Sequence, residues 1–163
     1  MTPTNNPYIA ILEKLQPKAA PDDLSLWSTV LDDASKLFSD PIPVSLLTTE
    51  KQLSPEIIHS AAQVLGQTDD YLTKAIHYIK DNFKAYPEKY KIKAEEIPYL
   101  SLDTADFPLE FPEFTFYDEE GYWLIHFAEG KFENCDPHGI VVIFTDNAPT
   151  DIELLDDCEP LDE

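Results

Sequence analysis

The chain has 163 residues, 32 of them acidic and 11 basic, for a formal net charge of −21, and 43% of its residues are hydrophobic and 12% aromatic. That apolar content is too high for a disordered chain, and the length suits one domain that buries a core without disulfides or a structural metal. Every basic residue is a lysine, and the absence of arginine together with the anionic charge argues against nucleic-acid binding and phosphoryl transfer.

The charge is uneven. Residues 1–93 hold 12 acids and 10 lysines, whereas residues 94–163 hold 20 acids and only Lys131, a balance of −19. Such a field steers cationic proteins and also keeps a protein soluble. A basic partner and solubility alone are the two readings.

In chain order, Asn6-Pro7 starts a short helix through Tyr8, Ile9, Leu12 and Leu15 that stops before Pro17. Lys18 to Asp23 reads as linker. Leu24 to Phe38 has two readings. The set Leu24, Trp27, Leu31, Ala34, Leu37 and Phe38 has helical spacing, while Asp32-Asp33 would open a hairpin from a strand at 24–31 into Ile42 to Thr48. Ser54-Pro55-Glu56 is an N-cap with proline and an acid in the first turn, and Leu53 and Ile58 occupy the staple positions. The helix runs to Leu65, with Gly66 as its C′ residue. A second helix, capped by Thr68 or Asp69, carries the stripe Leu72, Ala75, Ile76, Ile79 and Phe83 and ends before Pro87. Six of the 11 lysines lie between Lys74 and Lys93 and are expected to balance the acidic half.

Tyr99 to Leu102 is expected as a short strand. Phe107 to Phe114, alternating apolar residues with prolines and acids, is expected as an extended edge segment. An antiparallel meander follows: Phe114 to Tyr117, Tyr122 to Phe127, Ile140 to Phe144 and Asp151 to Leu155, separated by turns rich in Asp, Gly and Pro. The expectation is an α+β fold, two or three helices on an antiparallel meander of about four to six strands. One domain covers 1–163: an N-terminal helix and linker (1–23), a β-hairpin and helical half (24–93), the acidic antiparallel sheet (94–155) and a flexible tail (156–163).

Cys135 and Cys158 lack metal or redox spacing and read as reduced thiols. With no signal-like or membrane-spanning run, the expected compartment is the cytoplasm. Asp136-Pro137-His138-Gly139, with Cys135 and His126 near, is the most site-like cluster, and a metal-dependent or hydrolytic enzyme centred on His126, Asp136 and His138 is one alternative. The cluster lacks a second ligand pair, so it reads first as a turn, and no metal, cofactor or catalytic residue is assigned. The acids Asp118-Glu119-Glu120 read as a solvated hairpin tip. Tyr117, Tyr122, Trp123, Phe127 and Phe132 are too many for one sheet face, which leaves aromatic anchors on an outer anionic face or burial on both faces.

The order of a Trp-containing segment (Trp27 to Leu47), a Ser-Pro-initiated helix (Ser54 to Leu65), a second helix ending near aromatics (Tyr71 to Tyr86) and an Asp-Pro-His-Gly turn entering Ile140-Val141-Val142 resembles small acidic bacterial proteins. Several of these are immunity proteins of polymorphic toxin and contact-dependent growth inhibition systems. The common glutamate before the histidine is missing here. The resemblance implies a strand pair for residues 24–48. It also implies an immunity protein, not an enzyme, that binds a basic toxin domain, a nuclease above all. Asp118, Glu119, Glu120, Glu129, Glu133 and Asp136 would mimic the polyanion, with Tyr122 and Trp123 as anchors. An acidic adaptor or stress protein is a further alternative.

Overall fold

The computed structural model describes residues 7–118, 122–135 and 139–154. Seven strands form one sheet in chain order: β1 (Lys18–Ala19), β2 (Ser25–Leu31), β3 (Ile42–Thr48), β4 (Leu109–Tyr117), β5 (Trp123–Gly130), β6 (Ile140–Thr145) and β7 (Ala148–Leu154). All neighbours are antiparallel except β3 and β4, which run parallel with Val44 opposite Phe114 and Leu47 opposite Tyr117. A parallel pair needs a crossover. Here it contains α2 (Pro55–Leu65) and α3 (Thr68–Ala85), while α1 (Pro7–Glu13) packs against α2. The fold is α+β as expected, but the sheet is mixed and larger than the meander.

Residues 24–48 resolve to the strand pair. Trp27 lies opposite Leu46 and Leu31 opposite Ile42, and the Trp27 indole N–H donates to Thr48 Oγ1 at 2.9 Å. Asp69, in the first turn of α3, fastens the connection between the strands: its carboxylate accepts from the Ser35 hydroxyl and from the Lys36 N–H at 2.9 Å.

Alternation across the sheet makes one apolar face. Val44, Phe114, Ile125, Val142 and Ile152 form one buried row, and Leu46, Phe116, Trp123 and Phe144 form the next. Each large side chain removed from water contributes about 1.5–3 kcal/mol. Helix α2 turns Ile57, Ile58, Ala61, Ala62 and Leu65 inward, and α3 turns in its expected stripe together with Tyr71. On the other face, Ser45, Thr115, Leu124 and Ile143 are half-buried and Asp151 is exposed.

Several local expectations are corrected. Ser54 caps α2 as foreseen, accepting the Ile57 N–H at 3.2 Å. Gly66, however, is in the right-handed region with φ −68°, so α2 leads almost directly into α3. The N-cap of α3 is Gln67, because the Thr68 hydroxyl is buried and donates back to Leu65 O at 2.6 Å. The supposed linker at 18–23 contains β1 and a 3₁₀ turn at Pro21–Asp23.

Tyr99 to Leu102 is not a strand. Residues Ala94–Ser101 form a 3₁₀ helix containing Pro98, whose fixed φ suits that turn better than a ladder. The segment from Leu109 begins β4, and its first residues pair with β5 alone, an edge as expected, before the strand continues between β3 and β5. The parallel pairing with β3 starts only at Phe114, so Pro112 costs no inter-strand bond to β3.

Candidate binding cleft

The parallel pairing determines where a site can form. Strands β3 and β4 end side by side, and Asp118 N–H extends their pairing by donating to Leu47 O at 3.3 Å. Helix α2 starts a few residues after β3, so its first turn stands at the same end of the sheet. The β6–β7 turn at Asp146-Asn147 closes the third side. Between these elements lies a cleft of about 490 Å³, within the size range of ligand sites.

Its inner wall is aromatic. Trp123 and Phe116 stack with centroids 5.4 Å apart and planes at 26°, and Tyr117 and Tyr122 meet at 5.2 Å and 57° beside them. Trp123 is fixed on every side: Phe144 stacks on it at 4.3 Å, Tyr71 meets it edge-on at 5.2 Å, and its indole N–H donates to Asp146 O at 2.9 Å. The Tyr71 hydroxyl in turn donates to Asn147 Oδ1 at 3.0 Å. Burial, with Asp70 adding to it, raises the Tyr71 phenol above its ordinary value of 10.0.

The polar lining is anionic. Glu56 comes from the first turn of α2, Asp118 from the end of β4 and Asp146 from the β6–β7 turn. Asp118 is oriented by Thr49, whose backbone N–H reaches Oδ2 at 3.0 Å and whose hydroxyl reaches it at 3.3 Å. Asp146 adopts φ +57°, a left-handed conformation that aspartate tolerates. No lysine or histidine is among the lining residues, so Ser54 and Ser60 have no neighbouring base there. The cleft offers stacking surface and negative charge.

Of the residues singled out from the sequence, the structure brings Asp118, Tyr122 and Trp123 together here. Trp123 is not an outward anchor: at 8% exposure it is a wall of the core, as are Phe127 and Phe132. Only Tyr117 and Tyr122 of the five aromatics remain half-exposed. Glu129 lies six residues along β5 from Trp123, about 20 Å away at 3.3 Å per residue. Glu133 is beyond it and pairs with Lys93 at 2.7 Å. Glu119, Glu120, Asp136 and His138 lie outside the described residues.

Glu56 and Asp146 were missed. They stand in the first turn of a helix and in a hairpin turn, positions that sequence alone explains structurally; the crossover brings in Glu56 and the antiparallel run β4–β5–β6 brings in Asp146.

Of the enzymatic alternative's three residues only His126 is among those described. His126 is on the outer sheet face, its Nδ1 3.6 Å from Glu113 Oε1. Among the described residues no group of three or more His, Cys, Asp and Glu side chains is placed to hold a metal. Cys135 is buried, with Sγ 3.7 Å from Asn134 Oδ1. No helix among the described residues is long and apolar enough to cross a membrane. The chain matches no protein-family model, no curated protein and no solved structure.

Proposed function

We propose that the protein is an immunity protein that binds a basic toxin domain of the nuclease type and neutralises it by occluding its substrate groove. The observation that carries this reading is the balance of −19 over residues 94–163 in a chain without arginine. A nuclease presents a cationic surface to a polyanion, and an anionic protein competes for that surface. The aromatic cleft supports the reading because rigid rings inside an anionic field supply affinity where the charge supplies encounter rate. Asp118, Glu119, Glu120 and Tyr122 are the proposed contacts, joined by Glu56 and Asp146, with Glu129, Glu133 and Asp136 contributing field.

The test is capture from the source cell with the intact chain as bait, first at low and then at high salt. One basic polypeptide with a nuclease activity that the bait suppresses, released as salt is raised, is the expected result. Retention of no basic polypeptide, or retention indifferent to salt, removes the proposal, because screening over about 10 Å at 0.1 M weakens an exposed charge interface.

A further inference from the structure

We infer that the cleft between α2, the ends of β4 and β5 and the β6–β7 turn seats one arginine side chain of the partner. This rests on the reading of the partner as a basic protein and adds to it the group recognised and the place that receives it.

The cleft is a cavity with ring surface as well as acids in its lining. Trp123 and Phe116 are stacked on each other and buried, so the ring surface open to a ligand is that of Tyr117 and Tyr122, which meet beside them and are half-exposed. Aromatic faces attract cations, and a planar guanidinium stacks on them while its edge donates to carboxylates. Glu56, Asp118 and Asp146 approach from three separate elements, so a group entering the cleft meets acids on several sides. None of the three forms an ion pair among the described residues.

Anions are disfavoured at the same place. A helix start normally offers free N–H groups. At α2 that set is reduced: Pro55 has no N–H and the Ile57 N–H is held by Ser54 Oγ, which leaves the N–H of Glu56. Glu56 then adds a negative charge to the same turn.

Lys74, on α3, shows what the surroundings accept. Lys74 does not line the cleft. Its ammonium lies against the β6–β7 turn, 4.7 Å from the Tyr71 ring centroid and 3.4 Å from Asn147 O. A ring face and a turn oxygen thus already bind one cation next door. The cleft offers the same pairing at Tyr117 and Tyr122, with carboxylates added. The chain has no arginine of its own, so a guanidinium must come from another protein.

The experiment titrates the intact protein with N-acetyl-arginine amide and follows the two tryptophan indole N–H signals by NMR. Trp123 reports on the cleft, while Trp27, outside it, is the internal control. A saturable shift of Trp123 alone, with a dissociation constant in the millimolar range and weakened about tenfold in Glu56→Gln and in Asp146→Asn, is the expected result. Both substitutions are isosteric and asparagine tolerates the φ of Asp146, so the fold is retained. No saturable Trp123 shift, an equal shift of Trp27, or an equal response to N-acetyl-lysine amide overturns the assignment. The titration needs no partner, so its failure is separate from that of the immunity reading. Salt-sensitive capture of a basic polypeptide undiminished in the Glu56→Gln, Asp146→Asn double variant overturns the cleft and leaves the immunity reading standing.

Discussion

The carboxylate of Glu96 joins two distant turns by accepting the backbone N–H of Glu133 at 2.7 Å on Oε2 and that of Lys93 at 2.9 Å on Oε1. At 5% exposure it is the one acid in the buried set, and both its oxygens are occupied, as a buried charge requires. Nearby, Asn134 Nδ2 donates to Tyr90 O at 2.7 Å. These bonds hold the entry to the sheet half against the end of the helical half.

Replacing Glu96 by alanine therefore strands two backbone donors and is expected to cost about 1–3 kcal/mol of stability. The Lys93–Glu133 pair beside it is exposed, and Glu133→Gln is expected to leave stability unchanged. Urea denaturation of both variants checks the contrast. Equal midpoints for the two would show that the Glu96 bridge contributes nothing.

Gly139 is the second point where one residue type is required. Its φ is +91°, and a Cβ there would stand 1.9 Å from Phe127 O, a backbone atom of β5. Its N–H donates to Cys135 O at 2.6 Å. Gly139→Ala is expected to lose more than about 2 kcal/mol, since strained backbone and a backbone clash add. Thermal unfolding reads this directly, and a variant as stable as the wild type would contradict the turn geometry. The same glycine is what remains visible of the expected Asp136-Pro137-His138-Gly139 turn.

How much was legible in the sequence follows from which periods were unambiguous. The α3 stripe Leu72, Ala75, Ile76, Ile79 and Phe83 has only a helical reading, and it is buried as expected. Trp27 and Leu31 are four apart, a separation that fits one helical turn and two strand repeats equally. The structure takes the strand, with both residues inward. The parallel contact of β3 and β4 had no local signature, because the hydrophobic alternation of a strand does not say which neighbour it pairs with. The cleft was half visible. Charge counting found Asp118 in its acidic run, but Glu56 and Asp146 are 62 and 28 residues from it, and it takes the crossover to bring Glu56, and the turn after β6 to bring Asp146, to the same cavity.

The pH dependence of stability follows from two phenols. Tyr71 is raised above 10.0 by burial and then by Asp70; Tyr78 is raised by burial first, then by Asp151 and Tyr90, with Lys89 opposing. Lys93 is raised by its bond to Glu133. In each case the folded chain holds its proton more tightly than the unfolded one. The contribution is present in full below the unfolded values and is lost as pH rises through the folded ones. Urea midpoints should be level up to about pH 9 and then decline. Tyr71→Phe should decline less steeply, although it starts lower for want of the bond to Asn147. A wild-type midpoint that held steady through pH 11 would refute the shift.

Glu110 and Glu129 face each other across β4 and β5, both exposed. Like charges directly opposite destabilise a sheet, and an opposite-charge pair contributes roughly 0.2–1 kcal/mol. Glu129→Lys should therefore raise the urea midpoint, with a gain that shrinks as salt is added. The same variant separates the two roles of negative charge in this protein. Glu129 is about 20 Å from the cleft along β5, beyond a Debye length at physiological salt, so it acts through the general field alone. Partner association by Glu129→Lys should be slower with dissociation unchanged, whereas Glu56→Gln, inside the cleft, should speed dissociation. Surface plasmon resonance on the captured pair distinguishes these. Faster dissociation in Glu129→Lys would mean that the contact surface extends to the far end of β5, and the cleft would no longer be its centre.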